Sequence, residues 1–332
     1  MFQKEKTRFE IHKMNKNLIR LIKIIAFAGI IYLIYVMVKS RDSVFILRNL
    51  LVGLGVEEIL LILLVFVLQF ANWGIEALKF KVILKQKVFI GFTEALKAVY
   101  IGNASSIFTP DRLGNFIGRA FYLRNINKVV VTSASMLGNL AQLLSTLIFA
   151  FIAMVLFIYT NNEIAAVYVN PKLILLLVVV LNLIVGGIFC YPRLAIFIVL
   201  RIKWLKKHRR NFLFITKFSN TELCVFLGLA LLRYLIFIIQ FYFLLFVFGI
   251  DLPIVELFIF IGLMYFVTTL VPSPFLGNLG TREITAVYLL ALYQQPESIL
   301  VASLAIWLIN VIFPAVLGFV LAFNMNLYKK DL

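Results

Sequence analysis

Long uncharged apolar runs, of which Leu173–Val185 is the plainest, constrain this chain more than any other feature. A run of that kind lacks the period-two alternation of outer-membrane strands. In a bilayer, where backbone polar groups must be satisfied internally, it reads as a membrane helix. Hydrophobic residues make up 63% and charged residues 14% of the chain, against roughly 45–50% and 25% in soluble domains. A span takes about 20 apolar residues, so the 332 residues allow at most about ten helices and leave no room for a separate soluble catalytic domain. Bulk cytosolic chemistry is thereby excluded.

Hydropathy predicts full spans at about 18–38, 57–78, 131–159, 172–190, 223–249 and 298–323. The first has a basic front but is long for a signal sequence and lacks a small-x-small cleavage site, so it is expected to be a retained helix. Two mixed regions remain, about 92–128 and 254–293. The formal net charge of +17 would suggest nucleic acid in a soluble chain, yet 20 of the 32 basic residues fall in four segments, 1–20, 79–87, 191–222 and 329–330. The positive-inside rule makes these cytoplasmic, both termini included. That assignment closes only if each mixed region leaves on the side it entered, or crosses an even number of times.

Both regions hold the breakers this requires. The first contains Thr109-Pro110-Asp111-Arg112-Leu113-Gly114-Asn115 and Arg119; the second contains Pro272-Ser273-Pro274-Phe275-Leu276-Gly277-Asn278 and Arg282-Glu283. In each, a proline is followed by Leu-Gly-Asn and then by an arginine four residues after the asparagine. Two broken hairpins entering from opposite faces would be the trace of an inverted repeat with its binding site where the breaks meet; a chance echo is the alternative. The expected fold is an all-α polytopic membrane protein, one transmembrane domain over 1–332, with about six full spans and two re-entrant hairpins.

At these segments the chain resembles the lysylphosphatidylglycerol synthase transmembrane region family, the flippase-like membrane proteins. Thr109-Pro110-Asp111-Arg112-Leu113-Gly114-Asn115 with Arg119 matches the family's Thr-Pro-Gly-Arg-x-Gly-Glu turn and following arginine, and Gly280-Thr281-Arg282-Glu283 matches its Gly-x-Arg-Glu ending. Asp111 replaces the usual glycine, Asn115 the usual glutamate, and Phe275-Leu276 part of the glycine-rich turn. If the lost carboxylate holds a cationic head group in other members, this chain does not hold one in the same way. The resemblance covers the membrane half of the synthases, so lysine transfer from transfer RNA is not expected. It implies a protein of the inner, cytoplasmic membrane that moves or exposes a lipid between leaflets, without catalysis.

Arg112, Asn115 and Arg119 fall at i, i+3 and i+7, on one helical stripe. Arginine's planar fork matches phosphate oxygens, so the stripe is a candidate for a lipid phosphate; alternatively Arg119, with Arg124 and Lys128, marks the cytoplasmic boundary. Arg282 with Glu283 reads equally as substrate contact or as an ion pair fixing the second turn. Gln69, Asn72 and Glu76 form another stripe, Ser135, Asn139, Gln142 and Thr146 a third, and Arg233 and Gln240 lie seven apart. A head group crossing hydrocarbon needs such dipoles; interhelical packing bonds are the bland reading, favoured for Asn139 and Gln142. Isolated charges inside a span are costly and mark function. Glu76 is then a proton-coupling carboxylate or the partner of an arginine, and Arg233 a second substrate contact.

The loop 191–222, with Trp204 and several phenylalanines among its basic residues, is expected to lie along anionic lipid head groups. His12, His208, Cys190 and Cys224 have no metal-ligand spacing, and no cofactor or nucleic-acid partner is expected. The leading reading is translocation of a phosphate-bearing phospholipid or lipid-linked intermediate. The alternatives are a membrane-embedded lipid-phosphate or polyprenyl transferase, and a docking subunit for an envelope-biosynthesis enzyme; a homo-oligomer is open.

Overall fold

The computed structural model describes residues 54–107, 109, 113–160, 171–199, 201, 209–271, 281–290 and 296–323. Every regular element among them is helical, and five helices are long and apolar enough to cross a bilayer. The span expected at 18–38, the loop 161–170, Trp204, the prolines of the second break and both termini lie outside the described residues.

Helix α1 is Val56–Leu84, with Glu57 and Glu58 in its first turn and Lys81 in its last, where each sign opposes the helix dipole. Helices α2, Phe92–Ser106, and α3, Gly114–Tyr122, follow. At 1.5 Å per residue they measure about 22 and 13 Å, each too short for the roughly 30 Å hydrocarbon core. They form a hairpin around the first break, where the Thr109 hydroxyl donates to the Ser106 carbonyl and accepts from the Gly114 amide at 2.7 Å. The two helices approach so closely that a Cβ at Gly114 would lie 2.0 Å from the Ser105 carbonyl oxygen. Small residues at such crossings let membrane helices pack backbone to backbone.

Helix α4, Lys128–Thr160, is the central post and touches α1, α3, α5 and α7. Half of its most apolar window is buried, against 11% for α5, Pro171–Cys190, which packs on the outside. A short helix α6, Pro192–Val199, a single turn Arg209–Phe212 and a 3-10 segment Leu213–Lys217 lead to α7, Asn220–Val247. A capping box between Ser219 and Glu222 starts α7, and Gln86 from the α1–α2 loop donates to Glu222 at 2.9 Å. Phe212, Phe214 and Phe218 fill the core beneath this stretch while Arg193, Arg201 and Lys217 stay exposed. Three of the phenylalanines expected along head groups thus anchor the loop to the bundle, because burying an aromatic ring outweighs leaving it at an interface, while Phe197 stays exposed.

Helices α8, Ile254–Leu270, and α9, Thr281–Leu290, flank the second break. The last span is divided: α10, Pro296–Trp307, a π turn Leu308–Ile312, and α11, Phe313–Phe323. Pro314 has no N–H to offer the Asn310 carbonyl, and the ladder widens there, the Phe313 amide reaching Leu308. Asn103 donates to the loosened Val311 carbonyl at 3.0 Å, Asn310 to Gln240, and Gln240 to the Val65 carbonyl. Below the turn, α11 lies against α2 so tightly that a Cβ at Gly318 would fall 2.0 Å from the Tyr100 carbonyl oxygen.

Candidate functional site

The stripe Gln69, Asn72, Glu76 faces the protein interior, each residue at most 2% exposed. Helix α1 runs to Leu84, beyond the expected end at 78, and the stripe continues to Lys79. Lys79 was expected in the cytoplasmic flank, yet it is 1% exposed. Three residues on from Glu76 it meets that carboxylate at 2.8 Å, and opposite its side chain α4 carries Gly138, so the stem has room.

Two more cations converge on Glu76. From α3, Arg119 Nη2 donates to Oε1 at 2.9 Å, and from α7, Arg233 Nη1 donates to Oε2 at 2.9 Å. Arg233 Nε also donates to Asn72 Oδ1 at 2.6 Å, and its Nη1 approaches Gln142 Oε1 at 3.4 Å. Aromatic faces back both guanidinium groups: Phe80 lies 4.7 Å from Arg119 Cζ, and Trp73 and Phe237 lie 5.1 and 5.5 Å from Arg233 Cζ. Stacking of this kind fixes the plane of the fork and so the direction of its N–H groups. The result is one carboxylate among three buried cations drawn from α1, α3 and α7. Of the two readings of Glu76, the geometry gives the arginine partner.

Arg282 and Glu283 form a second cluster, one cation paired with one carboxylate. Arg282 Nη2 donates to Glu283 Oε1 and to the Ser303 carbonyl, its Nε donates to Ser303 Oγ at 3.2 Å, and Ser303 Oγ donates to Glu283. Both residues are buried, and these bonds tie the start of α9 to α10. The geometry is that of an ion pair joining α9 to α10.

Of the seven expected site residues, the structure brings together Glu76, Arg119 and Arg233, and separately Arg282 and Glu283. Arg119 is 1% exposed, so it does not mark a membrane boundary. Asn115 is half-buried on α3, and its Oδ1 has no hydrogen-bond partner among the described residues. Arg112 and Asp111 lie outside the described residues. On α4, Gln142 joins the site, Ser135 and Thr146 bond their own helix, and Asn139 is exposed rather than set between helices. The reading missed Lys79, Trp73 and Phe80. Spacing puts the lysine on the stripe of 69, 72 and 76, but its burial depends on α1 running on to Leu84 and on Gly138 of α4 facing it. Among the described residues no group of three His, Cys, Asp or Glu could hold a metal ion.

A family model described as the lysylphosphatidylglycerol synthase TM region matches residues 20–318. No curated protein and no solved structure matches the chain.

Proposed function

Because the chain belongs to the lysylphosphatidylglycerol synthase TM region family, we propose that it moves or exposes a phosphate-bearing lipid or lipid-linked intermediate between the leaflets of the inner membrane. The observation that carries this reading is the buried excess of positive charge around Glu76. A structural ion pair inside a membrane protein is expected to be balanced, as Arg282 and Glu283 are, because an unmatched charge in hydrocarbon costs several kcal/mol. Three cations on one carboxylate suit a protein that receives an anion. Arg119 and Arg233 supply forks for phosphate oxygens, and their aromatic backing holds those forks in place.

In this reading the α2–α3 and α8–α9 hairpins are re-entrant and bound the route of the head group, while the acyl tails stay in lipid. Arg119 sits in the half-helix that follows the first break, so a shift of that hairpin would carry the arginine with it. The termini and the 191–222 loop face the cytoplasm, and exposed Arg193, Arg201 and Lys217 rest on anionic head groups, each worth about 1 kcal/mol there. The chain acts without catalysis, cofactor or metal; a second copy or an envelope-biosynthesis enzyme is the protein partner to test by co-purification.

The test is leaflet exchange in proteoliposomes, with fluorescent lipids that carry or lack a phosphate. Wild type should accelerate exchange of phosphate-bearing lipids, and Arg119→Gln/Arg233→Gln should lose at least about tenfold of that rate, since each charge-assisted hydrogen bond contributes about 1.5–3 kcal/mol. Equal exchange by both proteins for every head group would overturn the proposal.

A further inference from the structure

The Glu76 cluster contains more donors than its own acceptors can use. Oε1 accepts from Arg119, and Oε2 accepts from Arg233 and pairs with Lys79. Asn72 Oδ1 is taken by Arg233 Nε. Among the described residues Arg119 Nε, Asn72 Nδ2 and Trp73 Nε1 have no acceptor, and Lys79 Nζ has only its ion pair with Glu76. All four residues are at most 3% exposed. Buried polar groups in native proteins are nearly always bonded, and a cluster of exceptions calls for an explanation such as an ion. Elsewhere among the described residues the buried side-chain atoms without a partner, on Gln69, Asn115, Tyr234 and Asn310, are all neutral; the cationic ones, Lys79 Nζ and Arg119 Nε, both lie at Glu76. Unused donors and surplus charge therefore coincide around the single carboxylate.

The charge count narrows what fits. Lys79, Arg119 and Arg233 against Glu76 leave two positive charges among the described residues. A phosphate esterified on both sides brings one negative charge and two free oxygens. A phosphate that ends its carrier brings about two negative charges and three acceptor oxygens at neutral pH. Only the second neutralises the cluster, and it brings the larger number of acceptor oxygens.

We propose that this cluster binds a terminal, doubly ionised phosphate on a lipid in preference to a phosphodiester head group, and that Lys79 is the residue that sets the preference. The proposal rests on the lipid-phosphate reading and adds the class of phosphate. Arg119 and Arg233 grip phosphate of either kind; Lys79, a compact point charge with three donors, carries the second positive charge that a diester leaves unmatched.

The full-length protein in nanodiscs, titrated with phosphatidic acid and with phosphatidylmethanol of identical acyl chains, tests this directly, because the two lipids differ by one methyl group and one charge. Wild type should bind phosphatidic acid at least about tenfold more tightly, the ratio that 1.4 kcal/mol gives. Lys79→Gln should bring the two lipids to within about threefold of each other, chiefly by weakening phosphatidic acid. Methyl phosphate and dimethyl phosphate as soluble competitors distinguish sources: a lipid site resists both, and displacement of phosphatidic acid by micromolar methyl phosphate would assign the site to a free phosphate and overturn the lipid part. Equal affinity of wild type for the two lipids overturns the preference while leaving the lipid-phosphate reading intact. Binding of neither lipid by folded wild type overturns both. The wild-type comparison decides the preference itself, and Lys79→Gln or, should it fail to fold, Lys79→Met decides the role of Lys79: a preference of about tenfold kept by a folded variant would overturn that role.

Discussion

Glu76→Gln is the most informative single change in this protein. The carboxylate is 2% exposed and holds Arg119 and Arg233 at 2.9 Å and Lys79 at 2.8 Å. At 2.9 Å and an effective dielectric of about 20, each contact corresponds to a direct attraction of on the order of 6 kcal/mol. Desolvation and the mutual repulsion of the three cations oppose that attraction, so the sum of the pairs is not the cost of losing them. Measured losses on breaking one buried pair are about 3–5 kcal/mol. Here glutamine removes the single carboxylate common to three pairs and turns an amide N–H₂ toward groups that are themselves donors. The expected loss is at the upper end, about 5 kcal/mol, or a fall in melting temperature on the order of 7 °C for a chain of 332 residues.

Thermal denaturation of the purified protein in detergent, followed by size-exclusion profile, reads this out. Arg233→Leu added to Glu76→Gln removes one of the stranded cations and should recover part of the loss, a non-additivity of about 1–3 kcal/mol between contacting residues. Glu76→Asp keeps the charge on a shorter arm and should fall between wild type and glutamine. A melting temperature within about 3 °C of wild type for Glu76→Gln, or a double variant worse than the sum of its singles, would refute the account of Glu76 as the common counter-ion.

Four further outcomes follow from positions elsewhere. Gly318→Ala places a methyl group 2.0 Å from the Tyr100 carbonyl oxygen, a backbone atom that cannot rotate aside, and should cost about 1–3 kcal/mol in the same thermal assay. Gly187→Ala, where nothing lies within 4 Å, should be neutral or stabilising by up to about 1 kcal/mol from helix propensity. Gln240→Leu breaks the bonds to the Val65 carbonyl and from Asn310; at about 0.6 kcal/mol per interhelical bond the loss should be small, so a fall comparable with that of Glu76→Gln would contradict the assignment of that chain to packing. Lys206→Cys, introduced after replacing the exposed Cys190 and Cys224 with alanine, should be labelled in intact cells only by a membrane-permeant thiol reagent, and labelling by an impermeant one would invert the proposed orientation.

What could be read in advance and what could not divides along physical lines. Length and hydropathy sufficed for the spans at α1, α4, α5 and α7, because about 20 apolar residues in sequence leave the backbone no other way to satisfy itself in lipid. The helix breaks were equally local: α2 stops at Ser106 and α8 at Leu270, where polar and proline-containing turns begin. Periodicity also placed Gln69, Asn72 and Glu76 on one inward face. The pairing of charges was not local. Arg119 is 43 residues from Glu76 and Arg233 is 157, and no spacing rule joins them; only the packing of α3 and α7 on α1 and α4 does. The same ignorance of packing made Lys79 look like a flanking charge, because a lysine near the end of a span ordinarily extends its stem to the interface. It stays inside because Glu76 meets it one turn away and Gly138 on α4 leaves space for it. That difference moves one positive charge from the membrane surface into the Glu76 cluster, and the proposed preference for a doubly ionised phosphate rests on it.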